Sequence, residues 1–206
     1  MSDESGTFDV KPLVDEELYL LSGIHIGTRQ KSLDMEPFFY KVRGDGLYIM
    51  DIRKTDERIR RAANMLSRYE SESILVVSAR QYGQFPASVF AKNTGSKVIA
   101  GRFMPGTLTN PNAPSYIEPQ ILVVTDPMGD AQAMREAIVS GMPIIALCDA
   151  NNETKFVDLV IPTNNKGRRS LAFIYWLLTR EVLKARGTVK SDEEYSKTIE
   201  EFEAPL

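Results

Sequence analysis

One histidine, one cysteine and two aspartates that each follow an apolar run are the side chains of this chain best suited to catalysis. Acid–base or nucleophilic chemistry needs a base within hydrogen-bond reach of a second titratable group or a nucleophile. His25 is the only imidazole, and no such partner is legible beside it, so it reads as a packed or hydrogen-bonded residue. Cys148 is the only thiol; it closes an apolar run and reads as a small buried hydrophobe. One cysteine excludes an intrachain disulfide, and one cysteine with one histidine cannot build a Cys-cluster zinc site or a multi-His centre. Asp126 and Asp149 follow strands, where catalytic carboxylates often sit. Asp126 precedes Pro127, however, and Asp149 opens an Asp-Ala-Asn-Asn loop, and both are turn-forming contexts.

Phosphate-cradling motifs are missing as well. No G-x-G-x-x-G joins a strand to a helix, and no G-x-x-x-x-G-K-[ST] occurs. Gly23 and Gly27 in the GIHIG segment follow a helix, and Gly44 and Gly46 sit in a hairpin. Neither pair brings backbone N–H groups to a helix N-terminus where an anion would bind. A nucleotide-binding enzyme on a doubly wound sheet stands as the alternative reading of function.

Basic side chains offer different chemistry. Arg169, Phe173, Trp176, Arg180 and Lys184 recur at spacings of 4, 3, 4 and 4, which places them on one stripe of a helix. Bases interleaved with aromatics can contact phosphates and stack on bases. The same stripe also fits a second buried flank from which the bases snorkel. Arg29, Lys31, Arg53, Lys54 and Arg102 lie in or beside loops, the better place for contacts to a nucleic-acid backbone.

The elements that must position these residues follow a repeating pattern. A short helix is expected over 15–21. Two strands over 38–43 and 47–51 flank Gly44-Asp45-Gly46 as a hairpin. Thr55 is expected to cap a helix to about Tyr69, with Ile59, Ala62, Leu66 and Tyr69 on its apolar face and Glu57 placed to pair with Arg61. Strands over 74–78, 97–100, 121–125, 143–148 and 159–161 then alternate with helices over 83–93, 130–140 and 167–185. Val/Ile/Leu-rich strands in β-α-β repeats give a parallel sheet with helices on both faces. The connection 101–119 breaks the pattern: it holds four of the eleven prolines and no periodicity, which predicts a stiff, extended and functional loop.

Composition fits an ordinary globular protein, at 43% apolar and 26% charged residues. Neither a signal peptide nor a membrane-length apolar run is readable, so a soluble intracellular protein is expected. The formal net charge of −3 hides an alternation. Segments 1–26, 27–102, 103–161, 162–190 and 191–206 carry −5, +6, −5, +6 and −5. Two locally basic blocks keep a phosphate partner open despite the acidic total, although blocks of this size also occur on merely solvated faces. The organisation expected is an acidic N-terminal tail over 1–11, one α/β domain over 12–187 and an acidic C-terminal tail over 188–206. Composition suggests that Met1–Asp9 and Ser191–Leu206 are not ordered outside an assembly.

Four stretches resemble one family. LLSGIHIG (20–27) and PQILVVTDPMGDAQAMREAIVSGMPIIALCD (119–149) are similar to the two signatures of the ribosomal protein S2 family. RFMPGTLTN (102–110) and IPTNNKGRRS (161–170) also resemble its motifs. The resemblance spans about residues 12–187. It implies a doubly wound, Rossmann-like (flavodoxin-like) mostly parallel sheet with an added hairpin, and a structural role without catalysis or cofactor. It also implies binding to small-subunit rRNA near the head–body junction, beside neighbouring ribosomal proteins, in the cytoplasm, with no membrane or small-molecule partner. Bacterial members insert a helical hairpin after the LTN motif, and 110–119 leaves no room for one. Eukaryotic members, similar to the laminin-receptor precursor, carry a longer acidic extension, so the archaeal type fits best. The resemblance supplies no list of RNA contacts. From charge and loop position the expected ones are Lys31, Arg53, Lys54, Arg102, Asn110, Asn164, Lys166, Arg168 and Arg169, with Arg180 and Lys184 from the helical stripe. A pure protein adaptor is a third reading.

Overall fold

Asp15, Glu16 and Glu17 suit a helix N-terminus, and in the computed structural model, which describes residues 11–205, α1 runs over Glu16–Ser22. The hairpin follows as expected, with β1 (Phe39–Val42) antiparallel to β2 (Tyr48–Met50). Helix α2 spans Ile52–Leu66, and its cap is Asp51, not Thr55. Asp51 accepts the Arg53 N–H at 3.0 Å. Thr55 is instead buried one turn inside the helix, where its hydroxyl donates to the Pro162 carbonyl at 2.7 Å. Both residue types cap helices well, and this tertiary contact decides between them.

Five apolar runs form the main sheet: β3 (Ile74–Ser78), β4 (Lys97–Ala100), β5 (Ile121–Val124), β6 (Ile144–Cys148) and β7 (Leu159–Pro162). Their spatial order is β4-β3-β5-β6-β7, and every pairing is parallel. Helix α3 (Gln81–Thr94) crosses from β3 to β4 and α4 (Ala131–Val139) from β5 to β6, while α5 (Arg168–Ala185) follows the last strand. Strand side chains alternate between two cores. Ile74, Val76, Ile121, Val123, Ile145 and Leu147 face α2, α3 and α5. Leu75, Val77, Leu122, Val124, Ile144 and Ala146 face α4. The architecture is the doubly wound α/β sheet with an added hairpin that the sequence pattern and the resemblance imply.

The 101–119 connection takes the place of a helix on the α4 face. It is not extended. Successive turns close it, through Asn110 N–H to Gly106 O at 2.9 Å, Tyr116 N–H to Ala113 O at 3.0 Å and Ile117 N–H to Thr107 O at 2.9 Å. Phe103 and Leu108 insert into the core beside α4. Buried Glu136 holds this loop from α4, accepting from the N–H groups of Gly106 (2.8 Å) and Leu108 (3.0 Å) and from the Thr109 hydroxyl (3.3 Å).

Helix α5 is buried almost all round, and the reason lies beyond its end. The chain after Gly187 folds back across it, burying Phe202 completely and packing Ile199 beside it. Trp176 Nε1 donates to the Lys197 carbonyl at 2.7 Å. The expectation that 191–206 is unordered is therefore not met where Ile199, Phe202 and Ala204 reach the core. Burying one such phenyl ring contributes about 2 kcal/mol, enough to hold a short acidic segment down. The expected N-terminal tail, Lys11 apart, lies outside the described residues. Among the described residues no helix is long and apolar enough to cross a membrane.

Candidate nucleic-acid interface

Parallel strands deliver all their C-terminal ends to one edge, and the expected basic loops meet there. The chain winds outward from β3 in both directions, so the loops after β3 and β5 part and leave a crevice, the usual ligand position in doubly wound sheets. A cavity of about 440 Å³ opens there, lined by Ala79, Arg80, Gln81, Tyr82, Asp126, Gly129 and Lys166. A second, of about 480 Å³, adjoins it through Ala79 and Gly129 and brings in Arg102, Phe103, Pro105, Asp130 and Gln132.

The carboxylates of this edge serve the fold. Buried Asp126 pairs with Arg80 and accepts from Met128 N–H and Asn152 Nδ2, both at 3.1 Å. Buried Asp149 pairs with Lys166 Nζ at 2.9 Å and accepts the Ala150 N–H at 2.6 Å. Asp130 accepts from Ala79 N–H at 2.7 Å and Asp126 N–H at 3.1 Å. Burial, reinforced by the neighbouring Asp126 charge, pushes its carboxyl up to about 6. All three aspartates join loops after different strands, as the turn-forming reading of Asp126 and Asp149 anticipates. Cys148 is fully buried, and burial pushes its thiol far above the ordinary value. His25 is half-buried, and burial holds its imidazole below the usual histidine value. Among the described residues no cluster of His, Cys, Asp or Glu could hold a metal ion.

The segment 24–32 completes the edge, and it explains the GIHIG glycine. Gly27 N–H donates to Tyr48 O at 2.9 Å, and Ser32 N–H donates to Ala150 O at 2.8 Å. A Cβ on Gly27 would lie 2.8 Å from Tyr48 O and 2.9 Å from Ala150 Cβ, so only glycine lets the hairpin pack against the loop after β6.

The expected contact residues divide into three groups. Arg102 and Arg169 are exposed, and neither is ion-paired among the described residues. Lys166 keeps about a third of its side chain in solvent at the crevice mouth (35%). Arg168, at the start of α5, is tied to Glu203 at 2.6 Å. Lys31, Arg53 and Lys54 reach the same end of the molecule, because Thr55 anchors the start of α2 to the end of β7. Lys31 pairs with Glu36 at 3.3 Å, Arg53 with Asp51 at 3.5 Å, and Lys54 donates to Pro37 O.

The remaining four depart from expectation. Asn164 spends its side chain on the turn into α5, accepting from Lys166 N–H (3.0 Å) and Gly167 N–H (3.1 Å) and donating to Gly23 O (3.3 Å). Exposed Asn110 accepts the Asn112 N–H at 3.1 Å as a turn former. Arg180 is 4% exposed, with its guanidinium on Leu13 O (2.8 Å), Glu181 (3.0 Å), Asp192 (3.3 Å) and the Trp176 ring. Lys184 pairs with Glu181 and Asp192. At 1.5 Å per residue, Arg180 lies roughly 18 Å along α5 from Arg168. The stripe is thus the second buried flank, not an exposed binding face. Arg180→Ala should cost about 2 kcal/mol, because the Leu13 carbonyl loses its donor and the buried Glu181 carboxylate keeps only Lys184, at 3.4 Å. RNA affinity at temperatures where the variant is folded should not change. A stability loss under 1 kcal/mol in urea titration would contradict the burial argument.

Arg80 and Tyr82 belong to this edge and were not among the expected contacts. The available signal was position: both directly follow the apolar run of β3.

Comparison with known proteins places the whole arrangement. A family model described as ribosomal protein S2 matches residues 19–118 and 112–185. The chain belongs to the ribosomal protein S2 family. This S2-family chain is 60% identical over 194 residues to the small ribosomal subunit protein uS2 of Picrophilus torridus, covering 94% of this chain and 97% of that one. It is 57% identical over 198 residues to the uS2 protein of Thermoplasma acidophilum, covering 96% of this chain and 100% of that one. It is 58% identical over 196 residues to that of Methanoregula boonei, covering 95% and 94%. These relatives are archaeal, in line with the missing hairpin insertion.

Proposed function

We propose that this chain is a structural constituent of the small ribosomal subunit that grips rRNA with the C-terminal edge of its sheet, in the cytoplasm and near the head–body junction. Family membership over nearly the whole folded chain is the observation that carries this reading. The basic edge supports it, since Arg80, Arg102, Lys166 and Arg169 converge on one end from the connections after β3, β4 and β7. Ion pairs to Asp126 and Asp149 hold Arg80 and Lys166 in fixed positions, so a phosphate that meets them costs little side-chain ordering. Contacts of this kind position folded RNA and do not read its sequence. The protein acts as a scaffold, without a chemical step. An enzyme that binds a nucleotide in the crevice is disfavoured, because no glycine motif supplies backbone N–H donors there.

Co-sedimentation of the full chain with small subunits tests the reading. The wild type should travel with the particle. Arg102→Glu, Lys166→Glu and Arg169→Glu combined should weaken binding to subunit RNA by roughly 30-fold or more and flatten the salt dependence by about 2–3 units of slope. Free wild-type monomer only would sink the proposal, and unaltered incorporation of the triple variant would favour the protein-adaptor reading. Micromolar, stoichiometric nucleotide binding in equilibrium dialysis would revive the enzyme.

A further inference from the structure

An apolar groove runs beside α4, apart from the proposed RNA contacts. It encloses about 440 Å³ and is built largely from Met128, Met134, Ile138 and Phe156. Met128, Ile138 and Phe156 are 63%, 37% and 58% exposed, which leaves two long apolar side chains and an aromatic ring facing solvent together. Clustered exposure of this kind marks interaction surfaces, whereas scattered apolar residues do not.

Phe156 adds a second observation. Its φ is +63°, the only positive value on a non-glycine among the described residues. A bulky residue in the left-handed region is costly, and the fold recovers nothing by it, because the ring is turned out and not in. The strained backbone thus holds an aromatic ring at the surface, where Lys155 is its charged neighbour and its outer face is open.

Charge identifies the occupant. The stretch 103–161 holds seven acids and only two bases, Arg135 and Lys155. Both line this groove, and neither is ion-paired among the described residues. Lys155 Nζ sits 5.1 Å from the centre of the Phe156 ring. Against one carboxylate in the lining, Glu153, these two cations leave the groove net positive, which matches carboxylates at the rim of an inserted apolar segment, and the two methionines adapt readily to such a guest.

We infer that this groove docks an amphipathic segment of a neighbouring protein, its apolar side chains on Met128, Met134, Ile138 and Phe156 and its carboxylates against Arg135 and Lys155. The inference rests on the small-subunit reading, because the neighbour is another protein of that particle.

The test is photo-crosslinking in assembled small subunits, using full-length chain with Phe156→p-benzoylphenylalanine, which keeps an aromatic side chain at the strained position. The expected product is a nuclease-resistant adduct to one other protein, its crosslinked peptide bearing Asp or Glu next to apolar residues. Arg135→Glu with Lys155→Glu should lower adduct yield per incorporated chain by roughly tenfold. A nuclease-sensitive adduct to RNA, an adduct within this chain, no adduct, or a yield indifferent to charge reversal would each overturn the inference. Yield is measured only on chain that sediments with subunits. Failure to sediment at all therefore counts against the small-subunit reading, and sedimentation without a protein adduct counts against the groove alone.

Discussion

Glu136→Ala should cost about 3–4 kcal/mol and release the 101–119 connection from α4. The substitution removes the acceptor for two backbone N–H groups, those of Gly106 and Leu108, and for the Thr109 hydroxyl and the Gln132 amide. Leaving a buried donor unsatisfied costs roughly 1–3 kcal/mol each, and the two amides cannot turn to water while Phe103 and Leu108 remain in the core. Glu136→Gln keeps one acceptor oxygen and should cost about half as much. Urea titration gives the total, and hydrogen exchange at the Gly106 and Leu108 amides shows where it acts. Exchange there should accelerate more than at β3 or β5. The loop carries Arg102, so subunit binding should fall as well. A loss below 1 kcal/mol, or uniform acceleration of exchange, would show that the loop is held by its apolar contacts. Burial works against the ionised form of Glu136, yet the hydrogen bonds it accepts from Leu108, Gln132, Gly106 and Thr109 outweigh that and hold its carboxyl below the usual value. With the folded value depressed, the stability it supplies is present above the ordinary glutamate range. That contribution is lost as pH falls through the folded value.

This loop also shows what a single chain reveals and what it hides. Strands β3, β5 and β6 were legible because a run such as Ile74–Ser78 suits a sheet buried on both faces, and nothing else in the chain competes for it. The apolar face of α2 was legible for the same reason, since Ile59, Ala62 and Leu66 lie where the period places them. Proline content, by contrast, misdirected the reading of 101–119. Prolines fix φ locally, but the path is set by Glu136, at least 27 residues away, and no local pattern announces that carboxylate. The stripe Arg169–Lys184 failed similarly. Its spacing was right, and periodicity cannot tell a face that meets solvent from one that meets a segment 20 residues later. Ile199, Phe202 and Ala204 carried the missing signal, masked by the six acids of 191–206. At the candidate interface, charge and loop position singled out Arg102, Lys166 and Arg169, which the fold brings to the C-terminal edge of the sheet. They missed Arg80 and over-weighted Asn164, whose amide is consumed by its own turn.

The aspartates behind that interface set a pH limit on it. Wild-type stability should fall as pH rises from about 4 to about 7, with Asp130 alone contributing about 3 kcal/mol to the decline. The size follows from a folded-state value of about 6 against the ordinary aspartate value of 3.8, since each tenfold change in acid strength corresponds to about 1.36 kcal/mol. The sign follows from proton binding. Between those values the folded protein holds a proton that the unfolded chain has released, so raising pH favours unfolding until the folded carboxyl also ionises. Glu136 contributes in the opposite sense at lower pH, so the wild-type profile alone is ambiguous and a difference is needed. Asp130→Asn stays neutral throughout. It should be less stable than wild type near pH 4.5 by about 1 kcal/mol, because its amide offers one acceptor where two N–H groups, Ala79 and Asp126, need one each. Near pH 7.5 the order should reverse. Paired urea titrations at the two pH values read this crossing directly, and parallel curves would mean that Asp130 ionises in the ordinary carboxylate range. Asp130 joins the loops after β3 and β5, which carry Arg80 and Asp126. Protonated, it relieves the repulsion with Asp126 that ionisation brings; ionised, it tightens its hold on the Ala79 amide. The same carboxyl that lowers stability near neutral pH therefore fixes the two loops that carry Arg80 and Asp126, and under the proposed function Asp130→Asn should gain stability there while weakening subunit binding.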